Sequence, residues 1–331
     1  MLSQRCRNWV DELWYGQNRL RYLLWPISLL FQAVAWLRRR WLTWRCQPVS
    51  VPIIVVGNLT VGGVGKTPLV IALAQYFTAQ GLRVGIVSRG YGAHIRKFPH
   101  CVCEEDAAWL VGDEPKLLAL KTQCPVVIAP NRLQAVQYLL QHHQSQLIIS
   151  DDGLQHYAMP RQIEIAVIDG VRGLGSGMCL PAGPLRESAS RLQQVDFIVV
   201  NGAQTVHTPY GNSYHMIMQA DLPHSFKGQS LAWDEIEMPC SAVAGMGHPE
   251  RFFALLSQLG VVFQPYKFAD HHEFTPEDLA CLQKPVIMTE KDAVKCCAFA
   301  TDAMYYLPVE AKLSDEFWTK IWSQIKAHVH N

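Results

Sequence analysis

Short apolar runs alternate with amphipathic stretches along most of the chain. The runs are rich in β-branched residues, which is typical of buried parallel strands, and the stretches between them have helical spacing. This alternation predicts an α/β fold with a mostly parallel sheet and helices on both faces. Strands are predicted near residues 51–56, 82–87, 125–129, 146–150, 163–168 and 196–200, with helices near 66–78, 114–121, 131–142 and 187–193.

The pattern changes after residue 201. Residues 202–239 are mostly polar with short alternating runs, which predicts a connecting ribbon. Residues 240–331 then supply a second set of elements, with strands predicted near 241–245, 261–267, 285–288 and 304–307. We therefore predict a main domain at 47–201 and a smaller α/β domain at 240–331. The functional site is expected in the cleft between them.

The first 46 residues have a different character. From Tyr22 to Leu37, sixteen residues carry no charge, and as a helix they would span about 24 Å, short of the ~30 Å hydrocarbon core. Three arginines at 38–40 interrupt the apolar stretch, and Pro26 is expected to end or kink a helix near Trp25. The aromatic residues that favour lipid headgroups are frequent in this segment. They are Trp9, Trp14, Tyr15, Trp25, Trp36, Trp41 and Trp44.

The distribution of charge supports contact with a membrane surface. The formal net charge of +1 argues against a nucleic-acid partner, because such proteins usually have a strong basic excess. Residues 1–46, however, contain eight arginines and only two acidic residues. We predict that this segment associates with anionic lipid as an interfacial helix, in preference to a single span or a buried core helix. The rest of the chain is then expected at the cytoplasmic face, with no obligatory protein partner.

A glycine-rich segment at residues 57–67 gives the strongest chemical signal. It follows a predicted strand and precedes a predicted helix, which is the context of a phosphate-binding loop of the P-loop NTPase type. Glycines let backbone N–H groups point at phosphate oxygens, and the helix N-terminus adds partial positive charge. Lys66 would reach the β- and γ-phosphates of ATP, and the Thr67 hydroxyl would bind Mg²⁺. The predicted nucleotide-binding residues are Thr60, Val61, Gly62, Gly63, Val64, Gly65, Lys66 and Thr67.

The loop departs from the common pattern at two positions. Thr60 replaces the usual first glycine, and Val61 replaces the lysine that is typical of dimerising ATPases and GTPases with glycine-doubled loops. The second difference counts against a membrane-recruited ATPase switch that acts on a protein partner, which stays as the alternative function. A structural adaptor with a degenerate site is disfavoured because Lys66, Thr67 and Asp151 are all present.

Two carboxylates follow the apolar run 147–150. A strand that ends in Asp delivers a carboxylate to Mg²⁺ at the edge of the sheet where α/β proteins bind ligands, although an Asp-Gly turn would have the same sequence. We assign Asp151 to the metal. Asp152 is expected to bind the metal as well or to orient a water, Gln155 or His156.

Several other polar residues lie next to predicted strands or helices. Arg89 and Tyr91 follow the second strand, where they form either a turn or part of a substrate wall. Asp113 begins a predicted helix, where the residues alone favour an N-cap over a general base. Arg132 and Arg186 lie where an arginine could stabilise transferring phosphoryl oxygens.

The ordered segments VGNLTVGGVGKTP, SRGYG, GDEPKLLA, APNR, DDGLQH, LPAGPLRE, ADHHEFT and TEKDAVK resemble those of the tetraacyldisaccharide 4′-kinase family. The resemblance implies transfer of the ATP γ-phosphate to the 4′-hydroxyl of a tetraacylated glucosamine disaccharide 1-phosphate, with Mg²⁺, at the bacterial inner membrane. It also implies that Asp113 is the catalytic base, assisted by His271. Further site residues implied by these segments are Lys66, Asp270, Arg89, Tyr91, Glu114, Arg132, Gln155, His156 and Arg186.

Overall fold

The computed structural model describes residues 4–202 and 212–329. The helices are α1 (Gln4–Tyr15), α2 (Arg21–Trp44), α3 (Lys66–Ala79), α4 (Ala108–Val111), α5 (Asp113–Thr122), α6 (Arg132–His143), α7 (Pro249–Gln258), α8 (Pro276–Ala280), α9 (Glu290–Cys296) and α10 (Asp315–Val329). The strands are β1 (Ile53–Gly57), β2 (Val84–Ser88), β3 (His100–Cys101), β4 (Val126–Ile128), β5 (Leu147–Ser150), β6 (Ile163–Asp169), β7 (Phe197–Asn201), β8 (Ser213–Ala220), β9 (His224–Ser225), β10 (Cys240–Ala244), β11 (Phe263–Lys267), β12 (Val286–Thr289), β13 (Met304–Leu307) and β14 (Val309–Lys312). Short 3₁₀ helices cover Ala189–Gln194, Trp233–Glu235 and Cys297–Phe299.

Nine strands form the larger sheet, in the order β14-β8-β7-β6-β1-β5-β2-β4-β3. Strands β8 through β4 in this order run parallel, and only the two edge strands β14 and β3 are antiparallel. The central strand β1 is fully buried, because helices cover both faces of the sheet and its continuous apolar run suits that environment. The predicted mostly parallel α/β sheet is confirmed.

A second sheet has five strands in the order β11-β10-β12-β13-β9. Four are parallel, and β9 is antiparallel to β13. Its two faces pack on separate apolar clusters, one that includes Phe252 and Leu256 of α7 and one that includes Phe274 and Leu279. The strands predicted between residues 241 and 307 therefore form a sheet of their own.

The larger sheet also takes residues from outside the predicted main domain. Strand β8 lies within the predicted ribbon at 202–239, and β14 and α10 lie within the predicted domain at 240–331. The reason is apolar burial. Tyr214 and Met216 alternate with exposed positions on β8, and Phe317 of α10 packs edge-on to Tyr214 with ring centroids 5.4 Å apart. The chain thus leaves the larger sheet, forms the second one and returns, so the predicted boundaries do not coincide with the sheets.

Helix α2 runs unbroken for 24 residues. The expected end near Pro26 is wrong, because Pro26 is only the sixth helical residue and its missing N–H costs a single hydrogen bond to the first turn. On one face Ser28 is buried and its Oγ accepts a hydrogen bond from the Ala182 N–H at 3.0 Å. No helix in the described parts of the chain is both long and apolar enough to cross a bilayer. The opposite face exposes large apolar side chains, namely Tyr22, Leu23, Trp25, Ile27, Leu29, Leu30, Val34, Trp36, Leu37, Trp41 and Trp44.

Candidate active site

A cleft of about 1230 Å³ lies between the two sheets. From the larger sheet it is lined by the loop before α3, the ends of β2, β5 and β7, and the start of α5. From the second sheet it is lined by residues 246–248, 270–271 and 289–291. The cleft lies at the carboxyl ends of the parallel strands, which is where open α/β sheets bind their ligands.

The glycine loop is held open by the side chain of Asn58, which sequence reasoning did not single out. Asn58 is fully buried, and its Nδ2 donates to the carbonyl oxygens of Thr60 at 2.8 Å and Gly62 at 3.2 Å. Because these carbonyls are tied to Asn58, they point away from the cleft. The loop backbone is therefore shaped before any ligand binds.

Gly65 occupies a position that only glycine fits. Its φ of +90° is left-handed, and a Cβ there would lie 2.3 Å from Nδ2 of Asn201. That amide donates to the Val64 carbonyl at 2.9 Å, so the end of β7 holds the loop just before α3 begins. Asn201 is a second positioning residue that the sequence pattern did not indicate.

The unusual Thr60 has a structural explanation. It forms an isolated antiparallel bridge with Leu185, and the next N–H, of Val61, donates to the Pro184 carbonyl at 2.9 Å. The start of the loop is thus paired with the glycine- and proline-rich segment. Thr60 and Val61 do not line the cleft; within this loop the lining residues begin at Gly62.

Lys66 lies at the start of α3 and faces the cleft. Its Nζ donates to Asn58 Oδ1 at 3.2 Å and lies 3.4 Å from Asp152 Oδ1. Arg186 Nη1 lies 3.4 Å from both carboxylate oxygens of Asp152. Burial would raise the pKa of Asp152, but the charges of Lys66 and Arg186 outweigh it and hold that pKa below its usual range. The carboxylate is ionised and already paired with cations.

Asp151 differs from its neighbour. It is 2 % exposed, lines the cleft, and its Oδ1 accepts no hydrogen bond from the described residues. Burial, followed by the nearby charges of Glu114 and Asp152, raises its pKa. A buried carboxylate oxygen without a donor suits a divalent cation.

The chemistry of the donors fits Mg²⁺, since Thr67, Asp151 and Asp152 line one part of the cleft. Within residues 4–202 and 212–329 no cluster of three or more His, Cys, Asp or Glu side chains could hold a metal ion. Mg²⁺ is commonly held by one or two carboxylates together with substrate phosphates, so this donor set is the kind it uses.

Arg132 stabilises the turn that carries both carboxylates. It is 4 % exposed, and its Nη2 donates to the backbone carbonyls of Asp151 at 2.9 Å and Asp152 at 2.7 Å. The sequence suggested a contact with phosphoryl oxygens. The side chain does line the cleft, but its hydrogen bonds place the end of β5.

Gln155 and His156, predicted together, lie in different places. Gln155 lines the cleft, and its Nε2 donates to the Asn58 carbonyl at 3.1 Å. His156 does not line the cleft, because its ring turns into the protein. Burial and the surrounding arginines, Arg132 first among them, lower its pKa to about 4. A direct role for His156 at the substrate is not supported by this placement.

Asp113 and His271 come together from the two sheets. Nδ1 of His271 lies 3.1 Å from each carboxylate oxygen of Asp113. Asp113 is 7 % exposed and lies behind the imidazole, whereas His271 lines the cleft. The N-cap of α5 is Gly112, and Asp113 is the first helical residue, so the expected capping role is wrong. The side chain is instead directed to the histidine.

The two partners move each other's pKa in opposite directions. For Asp113, burial would raise the pKa, but the hydrogen bond from His271 and the charge of Lys291 lower it to about 2. For His271, the hydrogen bond to Asp113 raises the pKa above its ordinary value. His271 also has a left-handed φ of +59°, which is costly for a non-glycine residue and aims the ring at the cleft.

The ammonium group of Lys291 contacts three carboxylates beside the Asp113–His271 pair. Its Nζ lies 3.0 Å from Glu114 Oε1, 3.5 Å from Asp270 Oδ1 and 3.7 Å from Asp113 Oδ2. Burial would lower the pKa of Lys291, but these carboxylates raise it. The residue falls within a segment that carries the family resemblance, but no role was predicted for it. Its role becomes visible only in the structure, where the second sheet brings Lys291 next to α5 of the larger one.

Arg89 and Tyr91 lie at the mouth of the cleft. Both side chains are exposed and line it, and the Tyr91 ring centroid is 5.6 Å from that of His271. The backbone does form a turn here, with the Ala93 N–H donating to the Gly90 carbonyl at 3.1 Å, and a role of the two side chains as a substrate wall stays a prediction.

Comparison with known proteins places these features in a family. The model of the tetraacyldisaccharide-1-P 4′-kinase family matches residues 20–326. A tetraacyldisaccharide 4′-kinase of Legionella pneumophila (strain Lens) is 54% identical over 316 residues, covering 95% of this chain and 96% of that protein. One of Nitrosococcus oceani is 45% identical over 323 residues, covering 96% of this chain and 94% of that protein.

A solved structure agrees. The crystal structure of LpxK from Aquifex aeolicus in complex with ATP matches with a TM-score of 0.78 and 27% identity, covering 94% of this chain and 99% of that one. The match of the family model over nearly the whole chain, and the identity of these relatives, are decisive. The chain belongs to the tetraacyldisaccharide-1-P 4′-kinase family.

Proposed function

We propose that this protein transfers the γ-phosphate of ATP to the 4′-hydroxyl of a tetraacylated glucosamine disaccharide 1-phosphate. One observation carries the proposal: the phosphate loop of the larger sheet and His271 of the second sheet, which is backed by Asp113, line a single cleft. A kinase needs a proton acceptor for the attacking hydroxyl and a cradle for the phosphates, and this cleft offers both.

The nucleotide occupies the loop from Gly62 to Thr67. Backbone N–H groups at the start of α3 bind phosphate oxygens, and Lys66 turns from Asp152 to the β- and γ-phosphates. Mg²⁺, held by Thr67 and Asp151 with Asp152 beside them, supplies charge neutralisation to the phosphates. Arg186, which lies 3.4 Å from Asp152 and lines the same cleft, is expected to contact these phosphates.

The acceptor hydroxyl gives its proton to the Asp113–His271 pair. Asp113, held ionised at the start of α5, orients the imidazole and stabilises the positive charge of the imidazolium that forms. Lys291 and Asp270 fix the pair from the side of the second sheet. Closure of the cleft around both substrates excludes water, which would otherwise consume ATP.

The lipid part of the acceptor lies along α2. The exposed apolar face of that helix is continuous from Tyr22 to Leu37 and suits shallow insertion into one leaflet. The enzyme then works as a peripheral or monotopic protein at the cytoplasmic face of the bacterial inner membrane. It needs neither nucleic acid nor a protein partner for this reaction.

The test uses γ-labelled ATP, Mg²⁺ and the purified acceptor lipid in mixed micelles. We expect label in the lipid, and we expect Lys66→Met to reduce that incorporation at least ~100-fold, because the phosphates lose their positioning charge. Label found only in free phosphate would support the alternative, an ATPase switch. Undiminished transfer by Lys66→Met would contradict the placement of ATP on this loop.

A further inference from the structure

A further group of contacts between the two sheets lies at the end of β6, which neighbours the central strand β1 on the side away from β5, β2 and β4. Asp169 is the last residue of β6, and its Oδ1 accepts hydrogen bonds from the N–H groups of Val171 at 2.9 Å and Arg172 at 3.1 Å. Its Oδ2 lies 2.5 Å from Nη2 of Arg251 on α7. One carboxylate therefore shapes the turn that carries Arg172 and also binds a helix of the second sheet.

The guanidinium group of Arg172 contacts two other parts of the chain. Nη1 donates to Nε2 of His248, the N-cap residue of α7, at 2.7 Å. Nη2 lies 2.7 Å from Asp11 Oδ1 on α1, and the group lies 3.8 Å from the centroid of the Tyr15 ring on the same helix. The N-terminal helix α1 thus aligns an arginine of the larger sheet with a histidine that precedes a helix of the second one.

His248 accepts this hydrogen bond as a neutral imidazole, because a guanidinium group can only donate. Burial, followed by the charges of Arg172 and Arg251, lowers the pKa of His248 below its ordinary value. The ring is therefore uncharged at neutral pH, which is the state that the contact requires.

The contact holds a segment that lies beside the phosphate loop. Residues 246–248 line the cleft, and a Cβ on Gly247 would lie 3.9 Å from the backbone nitrogen of Gly63. A segment in this place covers a nucleotide that is bound on the loop. Arg172 and Asp11 do not line the cleft themselves, so their effect on a nucleotide has to pass through His248.

We propose that Arg172 is a positioning residue for the retention of ATP: by holding His248 it keeps residues 246–248 over the phosphate loop, and Asp11 makes this hold depend on α1. The inference rests on the proposed placement of ATP on the loop. It adds a connection from the N-terminal helix to the rate at which the nucleotide leaves.

The test measures release of a fluorescent ATP analogue from the full-length protein by stopped flow, with Mg²⁺, neutral detergent micelles and an excess of unlabelled ATP. Arg172→Gln should accelerate release about ten- to a hundredfold, because a hydrogen bond from a charged group is lost. The association rate should change much less, since loss of a contact acts mainly on dissociation. Because release is measured on folded protein, a purely structural role of Arg172 would not change it.

Asp11→Asn should accelerate release about two- to fivefold, since a partly exposed ion pair contributes less. Glu12→Gln is the matched control, because it removes the same charge from the next residue of α1 and Glu12 forms no ion pair within residues 4–202 and 212–329. Its release rate should equal that of the wild type. Asp11 is exposed, so this pair of variants decides the question even if Arg172→Gln fails to fold.

A double-mutant cycle separates positioning by Arg172 from an independent contact of His248 with the nucleotide. His248→Leu should release the analogue about as fast as Arg172→Gln, and the double variant should add little to either. His248→Gln, which keeps a hydrogen-bond acceptor, should recover part of the slow release.

Three results would overturn the inference: wild-type release from Arg172→Gln, full additivity in the cycle, or equal rates for Asp11→Asn and Glu12→Gln. Failure of the proposed function would look different. The wild type would then bind and release the analogue at a measurable rate, but it would transfer no label from γ-labelled ATP to the acceptor lipid.

Discussion

The pH dependence of turnover tests where the proton of the acceptor hydroxyl finally resides. In the free enzyme the Asp113–His271 pair holds an ionised carboxylate and, at high pH, a neutral imidazole. When the pair accepts one proton, that proton can rest on either group. The structure makes one of the two outcomes much more favourable.

The directions of the two pKa shifts decide between them. That of Asp113 is lowered to about 2, and that of His271 is raised above its ordinary value. Both shifts favour the proton on the imidazole and the negative charge on the carboxylate. Whichever oxygen or nitrogen meets the hydroxyl first, the imidazolium is the stable product of proton transfer.

The sign of the pH effect is therefore determined by the histidine. As pH falls through the pKa of His271, the imidazole is already protonated and cannot accept a proton from the substrate. Turnover at saturating ATP and acceptor should fall about tenfold per pH unit below that pKa, and the fall should begin above pH 6.5. Initial rates of lipid phosphorylation from pH 5 to pH 9 would measure this.

Two variants separate His271 from the other groups that titrate near neutrality, such as the phosphates of the substrates. His271→Gln should lower turnover about 10²- to 10⁴-fold and remove the histidine-dependent part of the profile. His272→Gln is the matched control, because His272 is the next residue, pairs with Asp278 at 2.9 Å and does not line the cleft. A wild-type rate that stays constant down to pH 5 would refute the reasoning, since the carboxylate alone would then receive the proton.

Two further predictions concern residues that position the site. Lys291→Met leaves three carboxylates without their shared cation, so we expect a loss of about 2–4 kcal/mol in the free energy of unfolding and at least a tenfold fall in kcat, measured by urea denaturation and initial rates. An unchanged kcat in a folded variant would contradict its positioning role. Gly65→Ala should weaken ATP binding more than tenfold in calorimetry, because the new Cβ collides with Asn201. Gly81→Ala, with a similar left-handed φ of +86° but open space around it, controls for backbone strain; equal effects of the two would refute the collision.

Local sequence patterns were sufficient to predict most strands of the larger, mostly parallel sheet. The buried strands β1, β2, β4, β5, β6 and β7 are short apolar runs, and a run that is buried on both faces shows this directly in its composition. Strand β8 escaped prediction because only alternate residues are buried, so it resembled a ribbon. The edge strand β14 has four residues and alternates in the same way, and nothing local could assign it to the distant sheet.

The same distinction holds for the site residues: a local sequence pattern indicates some of them, and only contacts in the folded chain reveal the others. Lys66, Thr67 and Asp151 were predicted from a loop and a strand end, where local backbone geometry gives the signal, and all three line the cleft. Asn58 and Asn201 act by hydrogen bonds to carbonyls of the loop, for which an isolated asparagine gives no signal. Gln155 and His156 were predicted together, but only Gln155 lines the cleft, because adjacent residues in a turn point in different directions.

The contacts around Asp113 and His271 form only where the two sheets pack against each other, and neither sheet supplies them alone. Asp113 and His271 are 158 positions apart, and Glu114 and Lys291 are 177 apart. These contacts form where α5 packs against α9, while Gly247 lies close enough to the phosphate loop that a Cβ there would be 3.9 Å from the Gly63 N–H. The same approach of the second sheet thus completes the Asp113–His271 pair and places Gly247 beside the loop. If the sheets separated at this interface, both contacts would be lost together, so under the proposed mechanism the arrangement that accepts a proton is also the one that encloses the nucleotide.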